Sequence, residues 1–151
     1  MSNKKIRKLP LFITAFIMVF IFIQSALPAD LSQQESGVIV FMLSRFLSVD
    51  PEGLSFVIRK CAHFTEYMIL GMSLFVTVRE FIPDEERVAA VQIVSWSIGA
   101  LYAVTDESHQ SFVPGRSCEI RDILIDSCGV AAGVLIMNAI RGVRSGQKGV
   151  I

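Results

Sequence analysis

The chain has little charge and no surplus of either sign. Lys plus Arg number 14 and Asp plus Glu number 14, so the formal net charge is zero, and charged residues make up only 19% of the 151 residues. Bulk charge therefore predicts no nucleic-acid partner. Cysteine is scarce as well, with Cys61, Cys118 and Cys128 alone. An odd count is no disulfide framework. A Cys61–Cys118 bridge would need both thiols at one membrane face in strict geometry; small apolar helix residues are the simpler reading of all three. There is no HExxH helix, no nucleophilic Ser or Cys motif of recognised type, no internal repeat and no low-complexity tract. Histidine occurs twice, as His63 and His109.

What the chain has instead is apolar residues, 52% of the total, and a mean hydropathy of +0.56. That mix is too oily for an ordinary soluble domain, and the apolar residues collect in long blocks rather than on amphipathic faces. A helix crossing hydrocarbon needs about 20 residues, each rising about 1.5 Å across about 30 Å. Four blocks approach that length: residues 9–27, 61–78, 88–105 and 123–140. The first follows a basic flank, as a signal peptide would, but exceeds the usual apolar run of about 7–15 residues; it reads as a retained span. Asp50-Pro51-Glu52 and Pro83-Asp84-Glu85-Glu86 are helix-start signals, so the second helix begins before its apolar block. Arg59 and Lys60 then snorkel at the surface. Ser117 can cap the fourth helix, with Glu119 in its first turn. Residues 38–49 are apolar but short, and with Arg45 among them they suit an interfacial helix. The expectation is an all-α membrane protein: a four-transmembrane-helix bundle with a short interfacial helix between the first and second spans, forming one domain over residues 1–151.

Orientation follows from Lys and Arg in short loops. With the N-terminus inside, the cytoplasmic set is Lys4, Lys5, Arg7, Lys8, Arg79, Arg87, Arg141, Arg144 and Lys148, and the outer set is Arg45, Arg59, Lys60, Arg116 and Arg121. This bias places both termini in the cytoplasm. Gly129 and Gly133 on the fourth helix, and Ser95, Gly99 and Ala103 on the third, place small residues four apart. Such stripes allow close backbone approach between helices in lipid.

Polar residues interrupt this pattern at one end. Arg59, His63, Glu66 and Tyr67 share a face at the start of the second span, with Glu66 about 8 Å beyond Cys61. Asp122 and Asp126 are four apart on the fourth span. The loop after the third span carries Asp106, Glu107, His109, Gln110 and Arg116. A charge at the centre of a membrane helix costs about 2.5–3.5 kcal/mol on insertion scales, so these groups need partners, protons or water. In the four-span topology all of them reach the outer side. Two readings are open: a buried structural network, with pairs such as Glu66–Arg121 or Asp122–Arg116, or a binding or catalytic site, since intramembrane ionisable groups usually mark function.

Residues 60–71 (KCAHFTEYMILG) and 105–116 (TDESHQSFVPGR), followed by Asp122, Asp126 and Gly129, resemble the VanZ-like family. The pattern D-E-x-x-Q-x-F-x-P-x-R, from Asp106 to Arg116, is long and specific, and the resemblance covers most of the chain. Phe22, Ser25 and Pro28 at the end of the first span are similar to the family's usual FSSQP stretch, from which Gln24, Ala26 and Leu27 depart. Members commonly have Asn where Asp126 stands, which makes this site more negative. The family's namesake is associated with low-level resistance to the glycopeptide teicoplanin. The resemblance thus implies a setting, the bacterial cell envelope; the expected location is the cytoplasmic membrane, with the bilayer as partner and a lipid-linked cell-wall precursor or anionic lipid head group as the candidate ligand.

Three functions fit these residues. In an enzyme, His63, Glu66, Asp106, Glu107, His109 and Asp122 would act on an envelope lipid, either by acid–base chemistry or through a divalent cation. Two imidazoles with carboxylates suit Zn or Mn, and His63, Glu66 and His109 are the candidate metal ligands. In a binding protein, Arg59, Arg116 and Arg121 would hold a phosphate or carboxylate, with Tyr67, Gln110 and Asp126 lining the site. In a proton-coupled carrier, Glu66 and Asp126 would be proton sites, but no acids line the inner half and four short helices leave little room for alternating access without oligomerisation.

Overall fold

A computed structural model of the chain describes residues 7–27, 40, 42, 44–46, 49–82 and 87–148, with side chains as far as residue 142. The protein is all-helical over these residues. Four helices are long and apolar enough to cross a membrane: α1 (Lys8–Ser25), α2 (Pro51–Phe81), α3 (Val88–Gln110) and α4 (Ile120–Lys148). It is a multi-pass membrane protein. A short helical stretch at 44–46 lies between the first and second spans; much of the expected interfacial helix over 38–49 lies outside the described residues, as do Pro28 and the start signal at 83–86.

Helix α2 starts where its residues dictate. Asp50 is the N-cap, its side chain accepting from the Gly53 N–H at 2.8 Å, with Pro51 and Glu52 in the first turn. The helix therefore runs ten residues ahead of the apolar block at residue 61. Exposed surface along the bundle is apolar: Phe16, Ile23, Ile93, Leu101, Leu124 and Leu135 all point outward. In water such a surface would be an association hazard; against lipid it is solvated.

The core is built on close backbone contact. Helix α2 packs most extensively on α4, and α3 lies against both. At the α2–α4 seam a Cβ on Gly133 would stand 2.0 Å from the Met68 carbonyl oxygen, one on Gly129 2.5 Å from that of Phe64, and one on Gly71 2.3 Å from that of Val130. The stripe on α3 does similar work: Ser95, Gly99 and Ala103 are buried, with Gly99 against the Val130 side chain. Around them pack Tyr67, Leu70, Leu74, Phe75, Val91, Val130 and Val134.

Helix α1 is pinned by hydrogen bonds. Towards its start, the Thr14 hydroxyl donates to the Pro10 carbonyl at 3.0 Å, so its contacts with Ser73 (2.7 Å) and Thr77 (2.8 Å) are acceptances. Midway, Tyr102 on α3 donates to the Met18 carbonyl at 2.5 Å. At its end, the Ser25 hydroxyl donates to Asp106 at 2.5 Å. These bonds set α1 against α2 and α3, with the end of α1 beside the end of α3, where Asp106 lies.

Candidate functional site

At this polar end a cavity of about 230 Å³ opens between α2, the 111–119 loop and α4. Its walls carry Arg59, Lys60 and His63 from α2, Glu107 and Gln110 from α3, Arg116 from the loop, and Asp122 and Asp126 from α4. The i, i+4 spacing of Arg59 with His63, and of Asp122 with Asp126, turns each pair to one face, and the two faces meet across the cavity. Lys60 forms an ion pair with Asp122 and lies over the Phe56 ring at 5.1 Å. It is thus engaged by α4, rather than snorkelling alone.

The loop is shaped by one left-handed residue, Gly115 (φ 75°), which lets the chain reverse after Pro114. The reversal returns Arg116 to the bundle. Its Nε donates to the Leu27 carbonyl at 2.9 Å and its Nη1 to Gln110 at 3.1 Å, so one guanidinium ties the loop to the ends of α1 and α3. Burial, and next the like charge of Arg59, push the Arg116 pKa below its ordinary value, with Asp106, Glu107 and Glu66 acting the other way.

Beneath the loop, Asp106 is 2% exposed and taken up by protein donors. Ser25 donates to one oxygen; Tyr67 (3.1 Å) and Gln110 (3.3 Å) donate to the other. This carboxylate joins α1, α2 and α3. Glu107 has a different task. Its Oε1 accepts the Glu119 backbone N–H at 2.8 Å, the role that the N3 acid plays in a capping box, here supplied from another helix. Ser117 does not cap α4, as the sequence suggests; its hydroxyl donates to the Glu119 side chain, which lies just before the helix while Asp122 occupies the first turn.

The expected pairs Glu66–Arg121 and Asp122–Arg116 do not form. Arg121 follows the exposed side of α4, where it bonds Glu119 at 2.7 Å and lies over Phe56 at 5.4 Å. That bond, then the Arg121 charge, hold the Glu119 pKa below its ordinary value. The reason is angular: Arg121 and Asp122 are successive on a helix and so point about 100° apart. Only Asp122 faces α2.

The cavity therefore unites part of the residue set picked out in the sequence. Arg59, His63, Glu107, Gln110, Arg116, Asp122 and Asp126 line it; Glu66, Tyr67, Asp106, His109 and Arg121 do not. His109 packs against Phe22 of α1, with ring centroids 4.4 Å apart, and does not line the cavity that His63 lines. Among the described residues no three His, Cys, Asp or Glu side chains are grouped so as to hold a metal ion; His63, Glu66 and His109 do not converge. Lys60 and Phe56 join the lining, although the residue pattern alone singled out neither as a ligand contact. Their position on the Arg59–His63 face was the available signal.

Buried polar atoms without a partner mark the same cavity. His63 Nδ1, Asp122 Oδ1 and Asp126 Oδ1 have none among the described residues. The family model VanZ/LLP1 matches residues 10–141. The chain belongs to the VanZ/LLP1 family. That match runs from the first turn of α1 to the last turns of α4, so the whole bundle and its polar end are the VanZ/LLP1 unit. No curated protein and no solved structure matches the chain. In this VanZ/LLP1 protein the apolar helices form a frame, and a polar cavity opens at one end of it.

Proposed function

We propose that this protein binds the phosphate-bearing head group of an envelope lipid or lipid-linked cell-wall precursor in the polar-end cavity. The observation carrying this reading is Arg59. It lines the cavity yet makes no hydrogen bond or ion pair with any described residue, while Lys60 and Arg116 beside it are partly engaged. An uncommitted guanidinium next to two further cations suits a phosphate, which it can grip with paired N–H groups. The cavity opens at the end of an apolar bundle, where a lipid head group would arrive with its chains along the exposed helices. The protein would sit in the bacterial cytoplasmic membrane with both termini inside and the cavity outside, the place where glycopeptides such as teicoplanin meet their targets.

Arg59→Ala tests this without disturbing the frame. Affinity for phosphatidic acid in detergent titrations should fall about tenfold, the scale of one charge-assisted hydrogen bond, with thermal stability unchanged. Unaltered affinity would reject the phosphate reading. Topology is tested separately. Cys118 is exposed on the 111–119 loop, as are Cys61 and Cys128 elsewhere, so in a Cys61→Ala, Cys128→Ala background a membrane-impermeant maleimide should label Cys118 in intact cells; labelling only after lysis would place the cavity inside.

A second reading is favoured by His63, whose Nδ1 is buried without a partner among the described residues and which shares the cavity wall with Asp122 and Glu107. An imidazole so placed could act as a general base on the bound lipid. Turnover of a lipid substrate that disappears in His63→Gln, with binding retained, would favour it.

A further inference from the structure

We infer that the cavity is selective for a zwitterionic amino-phosphate, with its phosphate at Arg59 and Arg116 and its primary ammonium at Asp126 and Asp122. This rests on the phosphate-binding reading above and adds the second half of the ligand. The cavity is two-sided. Among the described residues Arg59 makes no hydrogen bond or ion pair, and Arg116 spends Nε and Nη1 on Leu27 and Gln110, leaving Nη2 for a ligand. The opposing wall is acidic. Asp126 is 2% exposed, lines the cavity, and has a buried Oδ1 that no described group donates to. Asp122 gives one oxygen to Lys60, and its Oδ1 is likewise buried and unpartnered.

A simple phosphate would satisfy the arginines and leave these acceptors without donors; it would also bring more negative charge towards Asp126. Buried acceptors require donors, and a primary ammonium supplies three together with the compensating charge. A quaternary ammonium offers no N–H and is held by aromatic cages, whereas Phe56 is the single Phe, Tyr or Trp among the described residues of the lining. The chemistry selected is thus phosphate with a primary amine, as in phosphatidylethanolamine or in soluble phosphoethanolamine.

Native mass spectrometry of the purified full chain, titrated with lipids of identical acyl chains, tests this. Phosphatidylethanolamine should bind about tenfold more tightly than phosphatidic acid, phosphatidylcholine or phosphatidylglycerol, the scale of one hydrogen bond to a charged group. Asp126→Asn should abolish that preference. Equal affinity for phosphatidylethanolamine and phosphatidic acid in the unmodified protein would overturn the inference and leave the phosphate reading intact; this comparison needs no variant to fold. A preference for phosphatidylglycerol would overturn it in favour of a polyol. Absence of binding by any of these lipids would overturn both. Soluble phosphoethanolamine supplies the last arm. Its competition with bound phosphatidylethanolamine, where inorganic phosphate fails, supports the inference with the head group alone sufficient. Competition by phosphate equal to that of phosphoethanolamine counts against it.

Discussion

Adding a single methyl group at Gly133 is expected to pull the bundle apart. The new Cβ would lie 2.0 Å from the Met68 carbonyl oxygen and 2.9 Å from the Met72 nitrogen. Both obstacles are backbone atoms of a continuous helix, so neither can swing aside as a side-chain tip would. Helix α2 or α4 must move bodily, and the seam that moves carries the largest interface in the molecule. Overpacking in a tight core costs about 1–3 kcal/mol, and Gly133→Ala belongs at the upper end. The effect reaches the cavity too, because Arg59, Lys60 and His63 stand on α2 while Asp122 and Asp126 stand on α4. Gly142→Ala is the matched control, since nothing lies within 4 Å of a Cβ there. It should be neutral or gain up to about 1 kcal/mol from helix propensity. Thermal or denaturant unfolding in detergent reads both; equal stability of the two variants would refute the backbone-contact account of the seam.

The small-residue stripes are legible in the sequence because spacing alone places Gly129 with Gly133, and Ser95 with Gly99 and Ala103, on single faces. Gly71 was not legible as a contact. Its importance comes from meeting the Val130 backbone, a register between two helices that no local pattern encodes. The polar end divides in the same way. The D-E-x-x-Q motif marked the cluster, and the topology brought its members to one end. Their division of labour needed the fold. Asp106 meets Ser25 across 81 residues and Tyr67 across 39, and Glu107 meets the start of α4 only because the loop reverses at Gly115. A carboxylate that looks reactive in sequence can therefore be saturated in structure. Conversely, Lys60 looked like a snorkelling surface residue until α4 brought Asp122 beside it.

Asp106→Ala should be the most damaging change at the polar end, although Asp106 does not line the cavity. Removing the carboxylate leaves the Ser25 and Tyr67 hydroxyls and the Gln110 amide without their buried acceptor. Each orphaned donor costs about 1–3 kcal/mol, so the loss of three donors' shared acceptor makes this the costliest change at this end. Asp106→Asn should cost less, since one oxygen remains for Ser25. Its new amide donor would then face Tyr67 and Gln110. Tyr67 can turn its hydroxyl to accept, but Gln110 already offers its oxygen to Arg116, so the strain passes to the loop and to Arg116. Asp106→Asn is thus predicted to weaken head-group binding more than it lowers stability, and Asp106→Ala to lower both. A double-mutant cycle separates this network from simple burial. In the Asp106→Ala background, Tyr67→Phe should cost little because the hydroxyl has already lost its acceptor, giving a coupling of about 1–3 kcal/mol. Strict additivity of the two changes would mean that Tyr67 and Asp106 contribute separately, and that Asp106 does not bind α1, α2 and α3 into one polar end.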